Sequence, residues 1–299
     1  MKTLYAALQL TVLLLASDYL FAQEEDLLKL LGDEKPKKEI VKNAFKSTRV
    51  INGHSMEFLS PGTMDFRILH RFGQLNQGLD NFFGLDQASM RMGFDFGILQ
   101  NLMVGVGRST YKKELDGYIK FAPIRQSTGT GGFPFTVALV TGMTMNTLDW
   151  SDPARKNYYS SRLAYYFQSI IGRKFSEAIT LQVTPTMVHY NIVPLESQSN
   201  DIYAVGLGGR IKFSKRMAFT WDYFYMVNSL DKNIYKNPLS VGLDIETGGH
   251  VFQLHFSNST GMNERAFISE TTGSWTKGEL RFGFNLSRVF QLKKTRKEH

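Results

Sequence analysis

From residue 63 to residue 290 the chain alternates large apolar residues with small or polar ones, in runs longer than a soluble strand needs. Period two is the strand period, so successive side chains fall on opposite faces. Residues 87–99 set Met90, Met92, Phe94, Phe96 and Ile98 against Ser89, Arg91, Gly93 and Asp95. Residues 202–213 set Tyr203, Val205, Leu207, Ile211 and Phe213 against Ala204, Gly206, Gly208, Arg210 and Lys212. Such runs reach about 10 residues, enough for a tilted strand to cross a bilayer, whereas globular strands average roughly 5 to 6.

Register is best defined at 238–259, where Gly248-Gly249 joins two alternating runs as a two-residue hairpin loop. Counting outwards pairs Thr247 with His250, Ile245 with Phe252, Leu243 with Leu254 and Val241 with Phe256. The other face then carries Asp244 opposite Gln253, Glu246 opposite Val251 and Gly242 opposite His255. One face is oily and the other polar.

The same pattern predicts strands at 63–74, 87–99, 102–111, 115–126, 134–147, 159–172, 177–191, 201–213, 216–228, 238–247, 250–259 and 278–290. Pro185 interrupts one of them and suggests a bulge or strand end, because proline gives up a ladder hydrogen bond. Long connections (75–86, 148–158, 192–200, 229–237, 260–277) alternate with short ones (100–101, 127–133, 173–176, 214–215, 248–249), the brief 112–114 being the one misfit. Short periplasmic turns and longer outer loops characterise outer-membrane barrels. The expected fold is therefore all-β: a transmembrane antiparallel up-and-down barrel of about 12 strands over 63–290, with both ends in the periplasm. An aromatic-rich soluble sandwich is the alternative. Aromatic residues make up 13% of the chain and gather near strand ends, at Tyr158, Tyr159, Tyr223, Tyr225, Trp275 and Phe290, which favours interfacial girdles.

The N-terminus supports export. Lys2, the apolar run LYAALQLTVLLLA and a short polar exit match a secretory signal over 1–22, cleaved near Ala22. This places the protein in the bacterial outer membrane and argues against a nucleic-acid partner. With no cysteine, disulfides and thiol chemistry are excluded. Residues 23–46 read as a charged linker or loose helix. Residues 47–62 resemble a thirteenth strand; counting it would leave the N-terminus outside, so it is expected in the lumen or against the periplasmic rim. Residues 291–299 form a basic tail, and the net charge of +8 lies after residue 46.

By strand parity the lumen is lined by Arg67, Arg71, Arg91, Lys120, Arg162, Arg210, Lys212 and Arg281, against Asp65, Asp95, Asp116, Asp222, Asp244, Glu246 and Glu279, with Gln253 and His255 among them. Eight bases facing seven acids predict cross-strand ion pairs or a hydrated pore with mixed walls, and no strong ion selectivity. His255 is placed near its diagonal neighbour Asp244. The histidines show no metal or haem spacing, so no cofactor is expected. Ser257 and His255 offer residue types for a hydrolase without its geometry. The strings VGVGRS (104–109) and GLGGR (206–210) mimic phosphate loops but lack a following helix, so their glycines are read as room for bulky neighbours or a plug.

The runs KSTRVINGHSMEF, DFRILHRFG, FFGLDQASMRMGFDFGI, VGVGRSTYKKELDGYIKF, DIETGGHVFQLHFSNSTGM and GELRFGFNLSRVF resemble the outer-membrane β-barrel family of Bacteroidota catalogued as a domain of unknown function. The likeness covers about residues 40 to 290 and implies a barrel and an outer-membrane location, with a hint of redox or lipid traffic. The leading expectation is a channel or transport barrel for small solutes or lipid-related molecules. The alternatives are a non-conducting scaffold that docks a periplasmic redox or lipid-carrier protein, and an outer-membrane hydrolase. Expected partners are outer-membrane lipid, the barrel-assembly machinery and a periplasmic protein.

Overall fold

The computed structural model describes residues 36–292 apart from positions 151 and 155. The expected signal peptide, the first part of the charged linker and the basic tail beyond 292 lie outside the described residues. In chain order the strands are β1 (Glu39–Ile40), β2 (Thr63–Gln74), β3 (Ala88–Leu99), β4 (Leu102–Ser109), β5 (Leu115–Ile124), β6 (Ser127–Thr128), β7 (Thr136–Met145), β8 (Leu163–Lys174), β9 (Ile179–Tyr190), β10 (Asp201–Lys212), β11 (Met217–Met226), β12 (Leu239–Thr247), β13 (His250–Ser257) and β14 (Arg281–Gln291). Twelve of them close a barrel in sequential antiparallel order, sealed by β14 against β2. Closure removes every free edge, which a wall without water to bond its backbone requires.

The Gly-Gly hairpin has the register read from its sequence: Thr247 faces His250, Leu243 faces Leu254 and Val241 faces Phe256. Both glycines take positive φ (38° and 141°), a region that side chains with a Cβ rarely adopt.

Three sequence expectations change. Pro185 neither ends β9 nor bulges it. The β8–β9 pairing runs to Gln168 opposite Thr186 and resumes at Ile171 opposite Val183 in the same register, skipping only the stretch opposite the proline. On its other side Pro185 pairs with Val205. Residues 36–46 contain no helix; β1 pairs with β6 in a separate two-stranded sheet at the short-turn end. The second face of the wall is also not polar throughout. Along much of β5 to β11 it carries Ala122, Ala138, Val140, Ala164, Tyr166, Ile170, Val188, Ile202, Ala204 and Phe224, which join an internal apolar cluster. A polar arc runs over β12, β13, β14, β2 and β3, with Ser240, Asp244, Gln253, His255, Asn285, Arg67, Arg71 and Arg91, and polar side chains also stand among the apolar ones on β5, β9, β10 and β11, with Lys120, Gln182, Arg210 and Asp222.

Candidate functional site

The lumen is occupied from both ends. From the short-turn end, residues 44–60 enter the barrel and turn back on themselves. Val50 N–H donates to Gly53 O at 2.8 Å and Ser55 N–H to Thr48 O at 3.0 Å, so the tip lies at 50–53. Ile51 and Asn52 are fully buried. A loop tip inside a barrel carries backbone groups that need partners, and the wall provides them.

Asp222 accepts the backbone N–H of Ile51, Asn52 and Gly53 at 3.3, 2.6 and 3.1 Å. Lys120 Nζ donates to Ser55 O and Glu57 O at 2.7 and 2.6 Å. Gln182 donates to His54 O at 2.7 Å, Asn285 to Ile51 O at 3.1 Å, Thr180 to Ala44 O at 2.8 Å and Arg210 to the same oxygen at 3.3 Å. Gln253 bonds Val50 O, and Arg71 bonds the Asn52 side chain. Asn52 in turn donates to Ser240 Oγ at 2.7 Å.

From the long-loop end, the connection between β13 and β14 folds inward and forms α1 (Glu264–Ser269), every residue of which is buried. Asn263 caps it, its side chain accepting from Ala266 N–H at 2.9 Å. Phe267 packs edge-on against Phe224 at 5.1 Å between centroids. The two insertions meet at Glu264, whose carboxylate pairs with Arg49 and lies 3.1 Å from His54 Nε2. All three side chains are at most 2% exposed. Breaking such a pair by removing one partner costs roughly 3–5 kcal/mol.

The loop bearing α1 is fastened at its outer edge too. Arg265 pairs with Glu114, and with Glu270 at 2.6 Å; Lys112 reaches Glu270 at 2.8 Å. Asn263 donates to Glu114 at 2.6 Å, and Tyr190 and Ser269 share a hydroxyl hydrogen bond of 2.5 Å. Burial would raise the Glu270 carboxyl, but Arg265 and Lys112 outweigh it and hold the group below its ordinary value.

Of the residues placed on the lumen by parity, Arg71, Lys120, Arg210, Asp222 and Gln253 grip the plug directly. Arg67 joins Asp65 at 2.6 Å, lies 3.8 Å from Asp95 and bonds Thr48 of the plug at 2.7 Å. Arg91 forks onto Asp116 across the wall, with Nε to Oδ2 at 2.9 Å. Asp244 is held by Gln253 at 2.6 Å and not by His255, because directly opposed residues sit closer than diagonal ones. His255 instead faces Arg71 at 3.4 Å, and Ser257 bonds Ser240 at 2.9 Å, so the hydrolase residue types are engaged elsewhere.

Five residues lie at the barrel's ends. Arg162 precedes β8, bonds Asn146 O at 2.9 Å and stacks 3.7 Å over Trp150. Glu279 precedes β14 and accepts Ser274 N–H at 2.8 Å. Arg281 opens β14 at the long-loop rim, while Glu246 and Lys212 reach the short-turn rim, Glu246 pairing with Lys46 at 2.6 Å. Parity overran the true strand starts at Arg162 and Glu279, while Arg281, Glu246 and Lys212 stand on strand residues at the rims.

The glycine strings serve packing. A Cβ at Gly105 would lie 2.3 Å from the Tyr118 ring and one at Gly206 would lie 2.5 Å from Phe224, so each glycine lets a ring from the neighbouring strand lie across it. Glu114, in the 112–114 connection, and Glu264 and Arg265, in the 260–277 connection, went unforeseen because both stretches read as loops. Asn263 before the apolar Ala266, Phe267 and Ile268 is the cap signal that points to α1.

A closed, outward-apolar, up-and-down barrel whose interior is filled by its own segments defines a membrane β-barrel with an internal plug. The chain belongs to the family described as Membrane bound beta barrel domain (DUF5777), which matches residues 45–290 and so includes the plug. No curated protein matches the chain. Among solved structures, the NanC porin shares 8% identity over 76% of this chain and 98% of its own, with a TM-score of 0.47. The COG4313 outer membrane channel from Pseudomonas putida F1 shares 11% over 79% and 98%, also at 0.47. An active-site mutant of the outer membrane phospholipase A from Escherichia coli shares 13% over 82% and 97%, at 0.41. Likeness at this level says nothing about substrate or activity.

Proposed function

We propose that the protein is a transport barrel of the bacterial outer membrane, for small solutes or lipid-related molecules, closed at rest from both ends. The supporting observation is how the closing elements are held. Residues 44–60 pack Phe45, Val50 and Met56 into the apolar cluster of the interior, and their polar links to the wall are hydrogen bonds and the Lys46–Glu246 pair, which water or a polar solute can replace; no barrel ladder runs through them. A twelve-stranded wall closes without the plug and leaves an interior wide enough to need filling. The signal-like N-terminus and the alternation of short turns with long loops support an outer-membrane site with the plug entering from the periplasm. The resemblance noted in the sequence supports an origin in the Bacteroidota. Outer-membrane lipid and the barrel-assembly machinery follow as partners from that location.

Planar-bilayer conductance tests the reading. The full chain should conduct little above bare lipid. A variant lacking residues 36–60 should give discrete openings, and Glu264→Gln, which neutralises the group joining the two insertions, should give rarer ones. A plugless barrel that folds but stays silent would overturn it.

The second reading is a scaffold for a periplasmic redox or lipid-carrier protein. It is favoured by the small β1–β6 sheet, whose exposed strand β1 offers an edge for strand addition at the short-turn end. A pull-down that recovers assembly factors alone would count against it.

A further inference from the structure

The outer surface carries a feature that transport does not use. Across β5 and β7 to β10 the outward face is indented into an open groove of about 760 Å³. Its floor is Thr141, Ser169 and Pro185, three small side chains at mid-strand, and its sides include Phe121, Leu139, Phe167, Tyr203 and Val227. The floor lies where the β8–β9 pairing skips a step opposite Pro185. Behind it, the inward side chains Val140, Ile170, Val188 and Ala204 are apolar and buried. Gln168 and Thr186 are buried there as well and hydrogen-bond each other at 3.1 Å, so the lumen side of this wall is mixed, while its outer relief comes from the contrast between small floor residues and large side residues.

We propose that this groove holds an acyl chain of a bilayer lipid from the leaflet on the long-loop side. The family is membrane-bound, so acyl chains surround the outer wall. Between apolar wall and apolar lipid there is no hydrophobic drive, so a retained chain must be held by close packing. A floor of small residues flanked by aromatic and branched ones supplies that contact along a chain-shaped path. Tyr203, near the long-loop end of β10, and Val227, just past β11, set the leaflet. A second copy of the barrel fits poorly, since a twofold contact would oppose the concave face to itself and leave the floor unfilled.

Native mass spectrometry of the detergent-extracted full chain, loaded with dioleoyl phosphatidylethanolamine, tests this. The wild type should retain a bound lipid. Ser169→Trp and Thr141→Phe, which fill the groove, should lower the retained fraction about tenfold, equivalent to about 1.4 kcal/mol. Leu254→Trp, outward on β13, should retain lipid as the wild type does. Phe121→Ala removes one side without adding bulk and should also lower retention, which keeps the proposal refutable if the filling variants misfold. Equal retention in every variant, no lipid on the wild type, or a dimer in place of the lipid adduct would overturn it. The readout is lipid mass, so it does not depend on whether the lumen conducts.

Discussion

Glu270 shows how a single carboxylate can make the long-loop closure depend on pH. Its folded value lies below the ordinary 4.5 because Arg265 and Lys112 outweigh the effect of burial. A group depressed on folding contributes stability at pH above its unfolded value, and that contribution is lost as pH falls through the folded one. Acid should therefore loosen the loop that carries α1. Amide exchange over residues 264–271, corrected for intrinsic rates, should accelerate between about pH 6 and about pH 3 in the wild type. Glu270→Gln should exchange faster than wild type already at neutral pH and respond less to acid. Equal responses would mean that the pairing does not hold the loop. At this scale the sequence was readable where strand parity applies: Arg71, Lys120, Asp222 and Gln253 point inward as alternation requires. What each of them holds was not readable, because their partners Ser55, Asn52 and Val50 come from a segment many residues away.

Pro185 and α1 are informative as elements. Proline in a central strand normally argues against the strand, yet β9 runs straight through it because the loss falls on one neighbour, β8, over a single step. Pro185→Val restores the N–H and gives β8 a donor to receive. Denaturant unfolding in vesicles should show a gain of about 0.5–1.5 kcal/mol; a loss would mean that the gap is relieving strain in the wall. In contrast, α1 has only six residues, too short for a helical period to emerge from the sequence. Its stability comes from burial against Phe224 and from the Asn263 cap, both of which depend on the loop folding inward.

For the molecule as a whole, the plug enters at the short-turn end, and the proposed periplasmic placing of this end can be tested by proteolysis. Arg49 is 2% exposed, and Lys46 is paired with Glu246 at the short-turn end. Trypsin added to intact cells should spare the bonds after Lys46 and Arg49, and both should become cleavable only after unfolding, apart from slow cutting at Lys46 from the periplasmic side. Rapid cleavage at Lys46 from outside would invert the assignment. The sequence by itself determined the closed antiparallel wall, its strand count and the hairpin register at Gly248-Gly249, because period-two alternation and short turns are local signals that leave few other arrangements. Only the tertiary structure decided what fills the interior. The meeting of Glu264 with Arg49 and His54, each 210 or more positions away from it in the chain, follows from barrel closure bringing both insertions to one axis, and no local pattern encodes that distance.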